Sequence, residues 1–242
     1  MSEIRRALVT GGSGDIGGAI AHALAADGWH VHVHAHVARD RAQAVVDGIR
    51  AAGGGADVVT FDIADGDATR HVVDELLAKG PIHALVHNAG IHDDAPMAGM
   101  REDQWRRVID VSLHGFFHVT QPLLLPMARL RWGRIVAVSS VAAVLGNRGQ
   151  VNYAAAKSAL HGATKSLARE MASRGITANV VAPGVIAGRL TDATFDEAAI
   201  KAMIPAARVG TPDEVAALVA FLCSDRAAYI NGQVIGINGG MA

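Results

Sequence analysis

The 242-residue chain has a single cysteine, Cys223, so neither an intrachain disulfide nor a thiolate zinc cage can form. It has no long basic stretch, and its formal net charge is −1. Bulk attraction to nucleic acid or to an anionic membrane surface is therefore unsupported. Charged residues make up 19% of the chain, too few for a disordered or coiled-coil protein. No uninterrupted apolar run reaches the ~20 residues that cross a bilayer. The start, Met1-Ser2-Glu3-Ile4-Arg5-Arg6, leads into a strand-like segment without an apolar signal region. These absences point to a soluble protein of a reducing compartment, with the cytoplasm as the expected location.

What is present is a half-hydrophobic composition with 27 glycines, suited to a well-buried α/β core. Length alone allows one large domain or two small ones. Short apolar runs alternate with segments of helical period along the whole chain. Ala7-Leu8-Val9, Val31 to Ala35, Val58-Val59-Thr60-Phe61, Ala84-Leu85-Val86, Arg134 to Ser139, Ile176 to Val181 and Gln233 to Ile237 read as strands. Helices are expected from about Ile16 to Ala26 and from Arg39 to Ala52, with Gly53-Gly54-Gly55 as a loop. Strands separated by helices of ten or more residues pair in parallel through right-handed crossovers. Near-continuous apolar strands agree, because a parallel sheet is covered on both faces. With no composition break or internal repeat, the expectation is one doubly wound α/β domain over residues 1–242. It should hold about seven strands with helices on both faces.

His30, His32, His34 and His36 alternate through one short segment, and period two would place all four on one strand face. Neutral imidazole is a common metal ligand. Side chains stacked along one strand rarely close a coordination sphere, however, so a polar strand face near a pocket is the preferred reading. No metal is expected.

Strand one runs into Thr10-Gly11-Gly12-Ser13-Gly14-Asp15-Ile16-Gly17-Gly18, directly before a helix. Glycines let the backbone turn sharply and approach a ligand without Cβ clashes. The helix start then offers free N–H groups and a positive dipole end to a diphosphate. A glycine-rich stretch alone is a weak signal; its place between strand and helix raises its value.

Tyr153 and Lys157 lie four apart in a strongly helical run, which puts them on one helix face. A phenol of pKa ~10 is a poor acid or base at neutral pH. An ammonium nearby favours phenolate; at ~4 Å and an effective dielectric of ~20 the pair is worth ~4 kcal/mol before desolvation. That is enough for a shift of a few units, and acid–base catalysis improves as the pKa nears working pH. Tyr-x-x-x-Lys is common by chance. Ser140, at the end of the preceding strand, adds a hydroxyl that could hold a carbonyl in line with the tyrosine.

With glycine loop, serine and Tyr/Lys pair in this order, the chain resembles the short-chain dehydrogenase/reductase family over essentially its whole length. It is most similar to the bacterial 3-oxoacyl-(acyl-carrier-protein) reductases. Gly146 to Tyr153 looks like their active-site loop. Arg174 to Gly184 looks like their next strand and cofactor loop, and Tyr229 to Gly240 like their C-terminal strand. The resemblance implies a Rossmann-type fold and a nicotinamide cofactor. That cofactor would be contacted by Thr10, Gly11, Ser13, Gly14, Asp15, Ile16 and Gly17, with Asp62 and Ile63 at the adenine. Asn88-Ala89-Gly90 would lie beneath it, with Pro183, Gly184 and the Ile186 backbone at the carboxamide. Tyr153 would donate the proton, Lys157 would lower the tyrosine pKa and hold the ribose, and Ser140 would orient the carbonyl.

In dinucleotide folds an acid after strand two binds the adenosine ribose and selects NAD. By the resemblance that position is Ala35, while His36, Arg39 and Arg41 could meet a 2′-phosphate; NADP(H) is expected. Three residues depart from the family pattern. Asp15 brings a carboxylate to the diphosphate, which is unfavourable unless it points away, for example to cap the helix. Ser112 stands where an asparagine supports a relay water, and Gly188 where a threonine is usual.

The implied reaction is NADPH-dependent reduction of a 3-oxoacyl thioester, carried on an acyl carrier protein, in fatty-acid or polyene- and polyketide-type synthesis. Arg129, Arg131 and Arg174 match positions that face an acidic carrier, although surface arginines are ordinary. A homotetramer is implied, with Leu218-Val219-Phe221-Leu222 as an apolar face that suits it or the chain's own core equally. Two rivals stand: a dehydrogenase of a small alcohol or sugar, and a non-catalytic cofactor-binding subunit of a related reductase.

Overall fold

The computed structural model describes residues 4–189 and 197–242; Met1 to Glu3, in the start considered above, lie outside them. Seven strands form one sheet: β1 (Arg6–Thr10), β2 (His30–Ala35), β3 (Gly55–Thr60), β4 (Ala84–His87), β5 (Gly133–Val138), β6 (Ile176–Pro183) and β7 (Val234–Ile237). Their order is β3-β2-β1-β4-β5-β6-β7 and every pairing is parallel. The order reverses between β1 and β4, so a crevice opens beyond the carboxyl ends of those two strands.

Alternation along the strands divides the core into two layers. Ala7 and Val9 of β1 and Val31, Val33 and Ala35 of β2 face α1 (Asp15–Ala26), α2 (Arg39–Ala51) and α9 (Pro212–Cys223). Leu8, Leu85, Ile135 and Val180 face the other way, onto α3 (Gly66–Ala78), α5 (Gly115–Leu130) and α7 (Val151–Met171). Every residue of β5 and β6 is buried, as sheet strands covered on both faces require. The remaining helices are α4 (Glu102–Ile109), α6 (Ala142–Leu145) and α8 (Glu197–Met203). A π turn, Asp110–His114, joins α4 to α5 without a break.

Two expectations change, and one open alternative is decided. Gly55 belongs to β3 and not to a loop, because it pairs with His30; Phe61 falls beyond the strand. Three histidines, not four, lie on β2; His36 follows its end, with Nε2 3.9 Å from an Asp62 carboxylate oxygen. The apolar face of α9 is mostly intrachain core: Val219 and Leu222 are fully buried, and Leu218 and Phe221 pack against the same layer. Cys223 ends α9 fully buried, and burial pushes its thiol up to about 12.

The β2 histidines are each engaged. His30 meets Asp57 at 2.7 Å, and Arg6 donates to His32 Nε2 at 2.9 Å. His30, His32 and Asp57 bring potential ligand atoms within 4.8 Å of one another. Two guanidiniums already hold them, Arg6 on His32 and Arg50 on Asp57 at 2.9 Å, an arrangement that repels a dication.

Candidate active site

His34 connects the sheet to the glycine loop. Its Nδ1 accepts from the Gly11 amide at 3.1 Å, and its Nε2 donates to the Phe61 carbonyl at 3.0 Å. Gly11 has φ +63°, and a Cβ there would come within 3.0 Å of Ala89 Cα and the Asn88 amide. Only glycine permits this close approach of the two crevice walls. Across the crevice the Thr10 hydroxyl accepts from the amides of Asn88 and Ala89, at 3.1 and 3.0 Å. Asn88 returns hydrogen bonds to the Thr10 and Gly11 carbonyls. The loop after β1 and the turn after β4 are thus built as one piece.

α7 carries Tyr153 and Lys157, and its start is fixed by Asn152. That fully buried amide donates to the carbonyls of Asp93 and Gln104, while its oxygen accepts from the Tyr153 amide. Lower on the helix, the Ser139 hydroxyl donates to the Lys157 carbonyl at 3.0 Å, tying α7 to the end of β5. The result is a cleft of about 420 Å³. Gly11, Gly14, Asp15, Ile16 and Gly17 line one end, and Ser140, Tyr153 and Lys157 the other. Asn88, Ala89 and Gly90 form its floor, and Pro183, Gly184 and Ile186 its remaining wall.

The chemistry at the far end is set by burial. Lys157 is 3% exposed; burial lowers its ammonium to about 8, and Nζ donates to the Val138 carbonyl at 2.8 Å. Tyr153 is pushed above the ordinary phenol range by burial, opposed by its hydrogen bond from Ser140, while the Asp94 carboxylate reinforces the rise. The expected depression of the phenol by the ammonium is therefore not what this geometry gives. Nζ points to the β5 carbonyl, 5.9 Å from the phenol ring centre, and desolvation is the largest influence on the phenol. A protonated phenol bonded to a serine hydroxyl can donate to a carbonyl oxygen.

Several expected residues do not face the cleft directly: Thr10, Ser13, His36, Arg39, Asp62, Ile63 and Ser112. Thr10 acts through the crevice floor. Asp62 accepts from the Ala64 amide, and Ile63 is buried, its carbonyl 3.0 Å from His118 Nδ1. His36 and Arg39 are exposed beyond β2 and at the start of α2. Ser112 is fully buried in the π turn, its hydroxyl without a hydrogen-bond partner among the described residues. Arg129, Arg131 and Arg174 are exposed. They lie just before the amino-terminal ends of β5 and β6, at the opposite end of the strands from the cleft, where Arg131 donates to the Ser173 carbonyl. Roughly 27 Å of helix separates Tyr153 from the end of α7 beside them.

Two site residues were missed. His34 was read only as part of a polar strand face. His87 is fully buried, with Nε2 donating to the Ser112 carbonyl at 2.9 Å and Nδ1 3.4 Å from the Thr10 hydroxyl. Burial first, and then the Lys157 charge, lower it to about 3, so it is neutral. Its position one residue before Asn88-Ala89-Gly90 was the available signal.

The glycine end suits a diphosphate. No side chain caps α1, whose preceding residue is Gly14, so amides at its start are open to the cleft. Residues 12–242 match the family described as enoyl-(acyl carrier protein) reductase. Along its whole length the chain is 44% identical to 3-oxoacyl-(acyl-carrier-protein) reductase FabG of Staphylococcus aureus strain Mu50, covering 99% of that protein. It is 44% identical to FabG of Escherichia coli K12, with 97% of the chain and 96% of the relative covered. The FabG of Aggregatibacter actinomycetemcomitans is 42% identical over 97% of the chain and 98% of the relative.

Proposed function

The chain belongs to the short-chain dehydrogenase/reductase family, and from that premise we propose that it reduces a 3-oxoacyl thioester to the 3-hydroxyacyl form with NADPH. The observation that carries this reading is the Ser140–Tyr153–Lys157 set at one end of a cleft whose other end suits a diphosphate. A bound nicotinamide would supply the hydride. Ser140 holds the substrate carbonyl, Tyr153 delivers its phenolic proton to the oxygen, and buried Lys157 supplies positive charge beside the oxyanion as it forms. The family description mentions enoyl substrates, but the full-length relatives are ketoreductases, and a phenol–serine pair suits a carbonyl oxygen better than a carbon–carbon double bond.

NADPH is favoured over NADH because Ala35 offers no carboxylate to a ribose, while exposed Arg39 opens α2 just beyond. An acyl-carrier-protein substrate follows the relatives' names. If Arg129, Arg131 and Arg174 receive that carrier, their distance from Tyr153 means they serve the site of a neighbouring subunit. A homotetramer supplies such neighbours, and Phe117 and Leu125 on α5, 63% and 68% exposed, offer it apolar surface. The cytoplasm is the matching location.

The test is loss of NADPH and NADH absorbance with an acetoacetyl thioester, beside a Tyr153→Phe control. NADPH oxidation faster than NADH, and absent in the control, supports the reading. A folded protein inert with both would overturn it.

A further inference from the structure

Two residues that depart from the family pattern, Asp15 and Gly188, touch each other across the cleft. A Cβ on Gly188 would sit 2.6 Å from Asp15 Oδ2, and the Gly188 backbone has φ +156°. The next residue answers the charge. The Arg189 amide donates to Asp15 Oδ2 at 3.1 Å, and its guanidinium meets Asp15 Oδ1 at 3.0 to 3.1 Å. The same guanidinium reaches the Ser13 carbonyl at 3.5 Å. All of this happens at the first residue of α1, on the lining of the diphosphate end.

Asp15 neither points away from the cleft nor caps its helix, as the sequence allowed; it is tied to the segment after β6. Alone, its carboxylate would repel a diphosphate at the one place where helix amides invite it. Paired, it presents a neutral ion pair whose guanidinium half is 51% side-chain exposed. We propose that Asp15, Gly188 and Arg189 are one cofactor-binding unit: Arg189 cancels the carboxylate at the diphosphate, and Gly188 leaves room for it. Arg189 is thereby a determinant of dinucleotide affinity, and the three positions must change together.

The proposal rests on the cofactor reading above, so its test has one arm with cofactor and one without. NADPH binding is titrated by fluorescence in low salt. Arg189→Ala weakens it on the order of tenfold, the effect of one charge about 6 Å away at an effective dielectric of about 40. Adding Asp15→Asn or Asp15→Ser to Arg189→Ala removes the uncancelled carboxylate and restores most of the affinity. The loss also shrinks at high salt. Double variants that bind as weakly as Arg189→Ala alone would overturn the charge half.

Thermal unfolding without cofactor reads the packing half. Gly188→Ala lowers Tm in the native and Asp15→Asn backgrounds, where the side chain keeps its shape, and lowers it less with Asp15→Ser. Additive effects would overturn this half. A native protein that binds no NADPH refutes the cofactor reading instead, and the thermal cycle still decides the packing.

Discussion

His87 Nε2 donates to the Ser112 carbonyl at 2.9 Å, bolting the end of β4 to the π turn that interrupts the α4–α5 helix. Because His87 is neutral at any working pH, the bolt is permanent. His87→Ala leaves that carbonyl unpaired and a cavity behind, which should cost about 2–4 kcal/mol. We expect kcat to fall more than NADPH affinity, and His87→Asn, which retains a donor, to recover part of both. Unchanged stability in His87→Ala would refute the assignment.

Ser112 keeps a buried hydroxyl without a partner among the described residues, near Lys157: both lie within 3.5 Å of the point a Gly90 Cβ would occupy. An amide there would hold a relay water better than a hydroxyl. Ser112→Asn should raise turnover severalfold with KM little changed. Steady-state rates that stay level or drop would count against a relay at this position.

Burial sets the alkaline limit of the reaction. The proposed reduction calls for a charged Lys157 and a protonated Tyr153; the phenol is pushed up and the ammonium down to about 8. Plotted against pH, kcat/KM for reduction should be level near neutrality and decline above about 8. Lys157→Arg, with a pKa above ~12, should lose rate but also lose that decline. A profile of Lys157→Arg that still breaks at the same pH would assign the limb to another group.

Three buried imidazoles make the fold sensitive to acid. His32, His34 and His87 are lowered to about 3, 4 and 3, chiefly by burial, from an ordinary 6.5. Depressed folded-state values mean that the unfolded chain takes up protons first. Their contribution is fully present above about 6.5 and is lost as pH falls toward about 3. Near pH 5 the slope should approach three protons, on the order of 4 kcal/mol per pH unit. Urea midpoints at pH 7 and pH 5 check this, and equal midpoints would show that the imidazoles are solvated or already charged.

Much of the fold was readable because a buried parallel strand is a local pattern. Val31 to Ala35 and Ile176 to Val181 announce themselves, and the intervening helices force the topology. The start of β3 was not readable, since Gly55 is a strand residue only by virtue of His30 beside it. The same division holds in the site. Tyr153 and Lys157 are four apart on one helix, so spacing sufficed. Asp15 and Arg189 are 174 residues apart, and nothing local in either residue discloses the other. The direction of the Tyr153 shift also escaped, because it depends on how deeply α7 is buried and on where Lys157 points.

The deep placement of Cys223 has a practical side. A thiol held at about 12 and fully buried at the end of α9 is almost never a thiolate, so alkylating reagents have little to attack. The native protein is in effect a blank background for thiol labelling. One cysteine introduced on its surface would be the sole reactive thiol, and a fluorophore attached there would have no competing labels.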